Sequence, residues 1–147
     1  MKEIKIIVGS GMDVKRLAAS LAFDDALQHN QYSVRAVCLD KGNQKNALAQ
    51  SIEQMERLKV SYRTDVIVSF GEEVISVEDT TYIHSAVIVC RPSSFLSPWV
   101  SRLLLPPNTV WHSEREEPEF SFLRTMKICL YRETITKALR PHLQYLL

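Results

Sequence analysis

Four short runs of apolar, largely β-branched residues constrain this chain more than any other feature: residues 2–9 (KEIKIIVG), 32–39 (YSVRAVCL), 64–70 (TDVIVSF) and 85–90 (SAVIVC). The last two are too apolar for strands with one wet face, so they are expected inside a sheet covered on both sides. Helical patterns separate the first three runs. Val14, Leu17, Ala18, Leu21 and Ala22 recur at three- and four-residue spacing behind a Gly9-Ser10-Gly11 turn, in a helix expected to stop near His29-Asn30. A second helix is read from about Asn46 to Lys59, with Leu48, Ile52, Met55 and Leu58 on its apolar side and polar positions that look merely solvated. Between them Gly42 suits a left-handed turn position.

Parallel strands need crossover connections of this length, and such crossovers are right-handed. The expected fold is therefore α/β: a three-layer, mostly parallel open sheet of about five strands, Rossmann-like, with an additional C-terminal helix. Residues 72–84 are ambiguous, because Glu72 to Val77 suits a short helix or a strand, with Asp79 to Thr81 as turn or cap. Beyond Cys90 a turn-rich RPSSFLSP precedes Trp99, Leu103 and Leu104, read as one side of a short helix ended by Pro106-Pro107. Thr109 to His112 offers a short fifth strand, and Ser113 to Glu119, rich in glutamate, an exposed loop. Leu123, Met126, Leu130, Tyr131, Ile135, Ala138 and Leu139 mark a last helix over Ser121 to Arg140, although FSFLRTMKICLY also suits the start of a strand; HLQYLL follows, an apolar end that must dock on its own core or on a partner. Residues 1–147 are read as one domain, with 113–147 a loop and C-terminal helical extension.

A chain of 147 residues can bury a core that holds without disulfides or metals. Its net charge of +1 gives no reason to expect nucleic acid, and its tyrosines are not interleaved with a basic stripe. Cys38, Cys90 and Cys129 cannot all pair, and each lies in an apolar stretch, which predicts reduced, buried thiols and a cytoplasmic protein. The start lacks the long apolar region of a signal peptide, and no run reaches the length of a membrane span. A soluble, cytosolic domain of a larger membrane protein stays open.

In an open parallel sheet ligands gather beyond the carboxyl ends of the strands, where the strand order reverses. Loops at Gly9 to Asp13 and Cys90 to Ser94 would then flank one crevice, lined by Ser10, Asp13, Arg91, Ser93 and Ser94. Arg91 can fork onto a phosphate and serines can donate to it. The competing reading gives Asp13 a helix cap, leaves Arg91 solvated and gives the serines turn hydrogen bonds. Catalytic chemistry finds less support. Arg91 follows Cys90 directly instead of closing a Cys-Xaa5-Arg loop, and His84 stands at the far end of the strand, roughly 20 Å away at about 3.3 Å per residue. No metal-ligand spacing, nucleophile elbow, paired carboxylates or Walker pattern occurs. The chain is expected to be no enzyme and to carry no cofactor.

Two segments carry a family resemblance. IKIIVGSGMDVKRLAASLAFDDAL resembles the first strand, ligand loop and first helix of the universal stress proteins, and SAVIVCRPSSFLSPWVSRLLLPP resembles their fourth strand, phosphate loop and following helix. The resemblance implies that Asp13 matches the acidic residue of the first loop, beside Gly9 and Ser10, and that Ala36 or Val37 lies near the region that borders adenine. Ser93, Leu96, Pro106 and Pro107 stand where ATP-binding members have three glycines and a hydroxyl residue. It therefore implies a regulatory or interaction domain that does not bind ATP, acting as a homodimer or through a protein partner, possible as the soluble domain of a transporter or sensor. The alternative is a domain for AMP or another small anion, using Arg91 and the nearby serines.

Overall fold

The computed structural model describes residues 3–28, 30–40 and 42–147; the expected roles of Lys2 and His29 at element ends lie outside them. Along the chain run β1 (Ile4–Val8), α1 (Asp13–Leu27), β2 (Tyr32–Ala36), α2 (Ala47–Ser61), β3 (Val66–Val77), β4 (Thr80–Cys90), β5 (Ser97–Leu104), α3 (Phe122–Leu139), a 3-10 turn (Arg140–His142) and α4 (Leu143–Leu146). The strands form one five-stranded sheet in the order β2-β1-β3-β4-β5. β1 pairs in parallel with β2 and β3, whereas β3 with β4 and β4 with β5 are antiparallel. Four strands thus share one direction and β4 opposes them, within a three-layer α/β fold.

Apolar side chains divide between the two faces. Val14, Ala18, Ala22, Phe23 and Leu27 of α1 meet Leu130, Tyr131, Ile135 and Leu139 of α3 over Ile6, Val8, Val68 and Val87. On the other face Met55 and Leu58 of α2 cover Ile7, Ile67 and Ile88. The last helix is therefore half of one core layer. Leu48, expected inside, is exposed, because α2 turns Ala47 and Ser51 to the sheet instead. Two helices carry side-chain caps: Asn46 Oδ1 accepts from Ala49 N at 3.1 Å, and Ser121 Oγ from Arg124 N at 3.2 Å. Asp13 is not the cap expected of it. It lies inside the first turn of α1, 2.5 Å from Arg16, behind Met12 as N-cap.

The ambiguous 72–84 segment is the middle of a long hairpin, turned at Glu78, whose φ is 56°. Ser97 and Pro98, expected in a turn, and Trp99 to Leu104, expected in a short helix, together form the edge strand β5. Trp99, Leu103 and Leu104 fit a helical stripe, but Ser97, Leu103 and Leu105 also face α3 at strand spacing, with Ser97 Oγ donating to the Ala138 carbonyl at 2.7 Å. Pro98 is tolerated because an edge strand has an unpaired side. Residues 109–112 are not a strand. Gly42 is not left-handed, since no described glycine has a positive φ. Of the three free cysteines only Cys90 is buried.

Candidate functional site

From β1 the chain crosses one face through α1 to β2 on one flank, then crosses the other face through α2 to β3 on the opposite flank. That reversal places a switch-point crevice at the carboxyl ends of β1 and β3. β1 ends at Val8, opposite Val68, while β3 continues to Val77. Past that point the edge of β3 has lost its neighbour and its peptide groups need other partners.

Side chains of α2 replace the missing strand. Gln54 Oε1 accepts from Phe70 N at 2.7 Å, Gln50 Oε1 accepts from Glu72 N at 2.9 Å, and Gln50 Nε2 donates to Glu72 O at 2.9 Å. Ser69 Oγ donates to the Ser51 carbonyl at 2.8 Å. This seam brings helix and strand unusually close. A Cβ on Gly71 would overlap the Ala47 carbonyl oxygen, and one on Gly9 would meet Gln54 Oε1 and lie 2.7 Å from Leu58 Cδ1. These glycines serve close approach rather than a phosphate cradle.

A cavity of about 730 Å³ opens here, lined by Lys15 of α1, Asp40 beyond β2, Gln50, Gln54 and Arg57 of α2, Phe70 to Glu72 of β3, and Trp111 to Arg115. Buried Glu72 is held by two short bonds: Trp111 Nε1 donates to Oε1 at 2.5 Å and Tyr131 Oη to Oε2 at 2.5 Å. Burial raises the Tyr131 phenol well above its ordinary pKa, and the neighbouring Glu72 charge adds to the shift, so Tyr131 stays a donor. The Lys15 ammonium stands 5.3 Å from the Phe70 ring centre and 5.4 Å from that of Tyr131, with no hydrogen bond or ion pair among the described residues. Burial lowers its pKa, and neighbouring Lys127 does so further, against the opposing pull of Glu72 and Glu114. The site thus offers a cation that is partly desolvated and not locked into an ion pair.

The link from β5 to α3 passes across this cavity as a strap. Lys127, fully buried on α3, donates from Nζ to His112 O at 2.8 Å and Arg115 O at 3.0 Å and reaches Glu117 Oε1 at 3.4 Å. Glu116 Oε1 accepts from Asp13 N at 2.7 Å, capping the start of α1 from outside the helix and adding a second carboxylate there beside Asp13.

The residues anticipated from sequence are split between the two ends of the sheet. Ser10 Oγ accepts from Met12 N at 3.0 Å and shapes the turn after β1, while buried Val37 donates its N–H to Val8 O at 2.8 Å, both as structure. Arg91, Ser93 and Ser94 lie elsewhere, because β4 runs against β1: Cys90 sits opposite Ile67, and Arg91 borders a depression with Ile4, at the start of β1. Ser94 Oγ accepts from Arg91 N and donates to Arg91 O, each at 2.8 Å, and exposed Ser93 turns the chain with φ 64°. No shared crevice joins them to Ser10 and Asp13. Lys15, Gln50, Gln54, Glu72, Trp111 and Lys127 escaped the sequence reading. Gln50 and Gln54 were visible as an i,i+4 pair, and Lys127 as a charge inside the apolar stripe of α3, where a lysine needs partners.

No family model matches the sequence, and no curated protein matches it. Among solved structures, protein VC0702 from Vibrio cholerae superposes with a TM-score of 0.73 at 14% identity, over 100% of this chain and 94% of that one. This similarity is one of fold. Among the described residues no group of three or more His, Cys, Asp or Glu is arranged to hold a metal ion, and no helix is long and apolar enough to cross a membrane.

Proposed function

We propose that this chain is a small-molecule-binding domain whose switch-point cleft takes a phosphate-bearing, nucleotide-class ligand, with Lys15 as the phosphate anchor. The observation that carries the reading is the Lys15 ammonium, which lines the crevice with no hydrogen bond or ion pair among the described residues. An anionic ligand group restores the charge interaction that burial has cost this lysine. The cavity volume of about 730 Å³ falls within the range of small-ligand sites. Asp40, Glu53, Gln44 and Arg57 along the same cavity offer hydrogen-bond partners for a heterocycle and sugar. This reading keeps a nucleotide ligand but moves it from Arg91 to Lys15.

Calorimetry with ATP, ADP, AMP, inorganic phosphate and adenosine tests it. Saturable micromolar binding of a phosphorylated member is expected, with none of adenosine. Lys15→Met is expected to weaken it roughly tenfold or more, the usual loss for a charged hydrogen bond. Binding that is absent in the wild type, or indifferent to Lys15→Met, sinks the proposal.

A further inference from the structure

β5 is the longer and more apolar edge of the sheet. It runs for 8 residues, against 5 for β2 at the opposite edge. Leu105 N donates to Thr81 O at 2.9 Å in register with the β4–β5 ladder, so odd-numbered residues of β5 turn their peptide groups to β4 while Val100, Arg102 and Leu104 turn theirs outward. Among the described residues no other backbone group meets that outward row. Pro98 belongs to it, and lacks only a donor that β4 does not use. The strand's single charge does not shield the row: Arg102 Nε donates to His84 Nε2 at 3.1 Å and its guanidinium lies 4.7 Å from the Tyr82 ring centre, both on β4. Phe95, Leu96, Trp99, Val100 and Leu104 are exposed along the same stretch. An edge of this kind is a template for another strand.

We infer that β5 pairs antiparallel with β5 of a second copy, about a two-fold axis at Ser101, joining two sheets into one. The strand's own sequence selects this partner and this register. Outward residues must meet outward residues, and the axes that keep most of the strand paired lie at Val100, Ser101 and Arg102. An axis at Arg102 sets like charges directly opposite each other, which is destabilising. An axis at Val100 sets Pro98 against the copy's Arg102, inside the ladder, and carries Leu104 past the end of the copy's strand. An axis at Ser101 moves Pro98 to the ladder's end, lets Val100 and the copy's Arg102 exchange bonds in both directions, and lays Trp99 against Leu103 on the α3 face. Such a two-fold contact is self-complementary. Its area is that of one short ribbon, so dissociation in the micromolar range is expected. The inference is independent of the ligand reading.

Sedimentation equilibrium and cysteine cross-linking test it. The wild type is expected to dimerise; a monomer throughout the micromolar range overturns the inference and leaves the edge to solvent or to a strand of another protein. Val100→Pro removes an outward N–H and no bond to β4, so it should keep the wild-type circular dichroism and weaken dimerisation roughly tenfold or more, one hydrogen bond being lost from each copy. A folded Val100→Pro that dimerises as well as the wild type overturns the β5 interface. Ser101→Cys decides the register even where the proline variant fails to fold, because facing residues of a non-hydrogen-bonded pair have Cα atoms about 4.5 Å apart, within disulfide range. Mild oxidation should join two copies through position 101, read on non-reducing gels and by peptide mass spectrometry. Linkage through exposed Cys38 or Cys129 instead, or none at all, overturns the inference.

Discussion

At one end of the sheet Arg91 donates from Nε to His142 Nδ1 at 3.2 Å and stacks its guanidinium 4.1 Å from the Tyr145 ring centre, while Ser94 closes the turn. At the other end Lys15 lies against two aromatic rings with no ion pair among the described residues, beside a cavity more than twice as large, about 730 against 290 Å³. Both ends offer cations and hydroxyls of the kind that binds phosphate. What separates them is whether the chain has already used those groups on itself. In the first it has, docking the C-terminal segment; in the second the seam of α2 uses glutamines on the β3 backbone and leaves the charge available.

The largest effect is expected from the seam itself. Gly71→Ala sets a methyl against the Ala47 backbone carbonyl, which has no rotamer by which to move away. We expect a loss of about 3 kcal/mol or more in urea unfolding, from α2 lifting off β3. A loss below about 1 kcal/mol would show that the seam is loose, and that the two ends of the sheet are less different than the geometry makes them. Gln50→Ala comes next. It strips Glu72 N and O of their partners at a part-buried edge, and should cost about 1–3 kcal/mol while weakening ligand binding, since the cleft wall loses its fixed register. Gln50→Glu keeps the acceptor and loses the donor, so it should fall between wild type and alanine; if it destabilises more than alanine, the charge of Glu72 rather than the missing donor governs the seam.

Much of the layer order was legible because periodicity reports burial: the apolar runs became β1 to β4, and the tail helix came out at Phe122–Leu139 behind its Ser121 cap. Direction was not legible. A fully buried strand such as SAVIVC reads the same whether it runs with or against its neighbours, and the hairpin turn at Glu78-Asp79 lacks the glycine that would have signalled it. Reversing β4 carried Arg91, Ser93 and Ser94 to the wrong end of the sheet for the loop after β1. The cleft was hidden for a related reason. Its parts come from α1, α2, β3, the strap and α3, and only the pairing register brings Glu72 to Tyr131, 59 positions later. Lys15 sits among ordinary polar positions of α1, and nothing local separates it from Arg16, which pairs with Asp13 in solvent.

The smallest effect is expected from Arg91→Ala, and it is the sharpest probe of the comparison. The neutral imidazole of His142 accepts the Arg91 Nε–H at Nδ1, so protonation there would break the bond and set two cations side by side. Burial, and then Arg91, hold the His142 pKa below its ordinary 6.5, outweighing the Val89 carbonyl that raises it. A base depressed in the native state takes up more protons when unfolded, so its contribution is intact above pH 6.5 and is lost as pH falls from there through the native pKa. Arg91→Ala should cost about 1 kcal/mol near neutrality, through the lost hydrogen bond and ring contact, and chymotrypsin should then cut faster after exposed Tyr145. Because it removes one cause of the depressed pKa, the gap between mutant and wild type should narrow in acid, as wild type loses stability faster. Nucleotide affinity should not move. If Arg91→Ala weakens ADP binding as much as Lys15→Met does, the phosphate belongs at the Arg91 end, and a cation already engaged by its own chain is still able to serve a ligand.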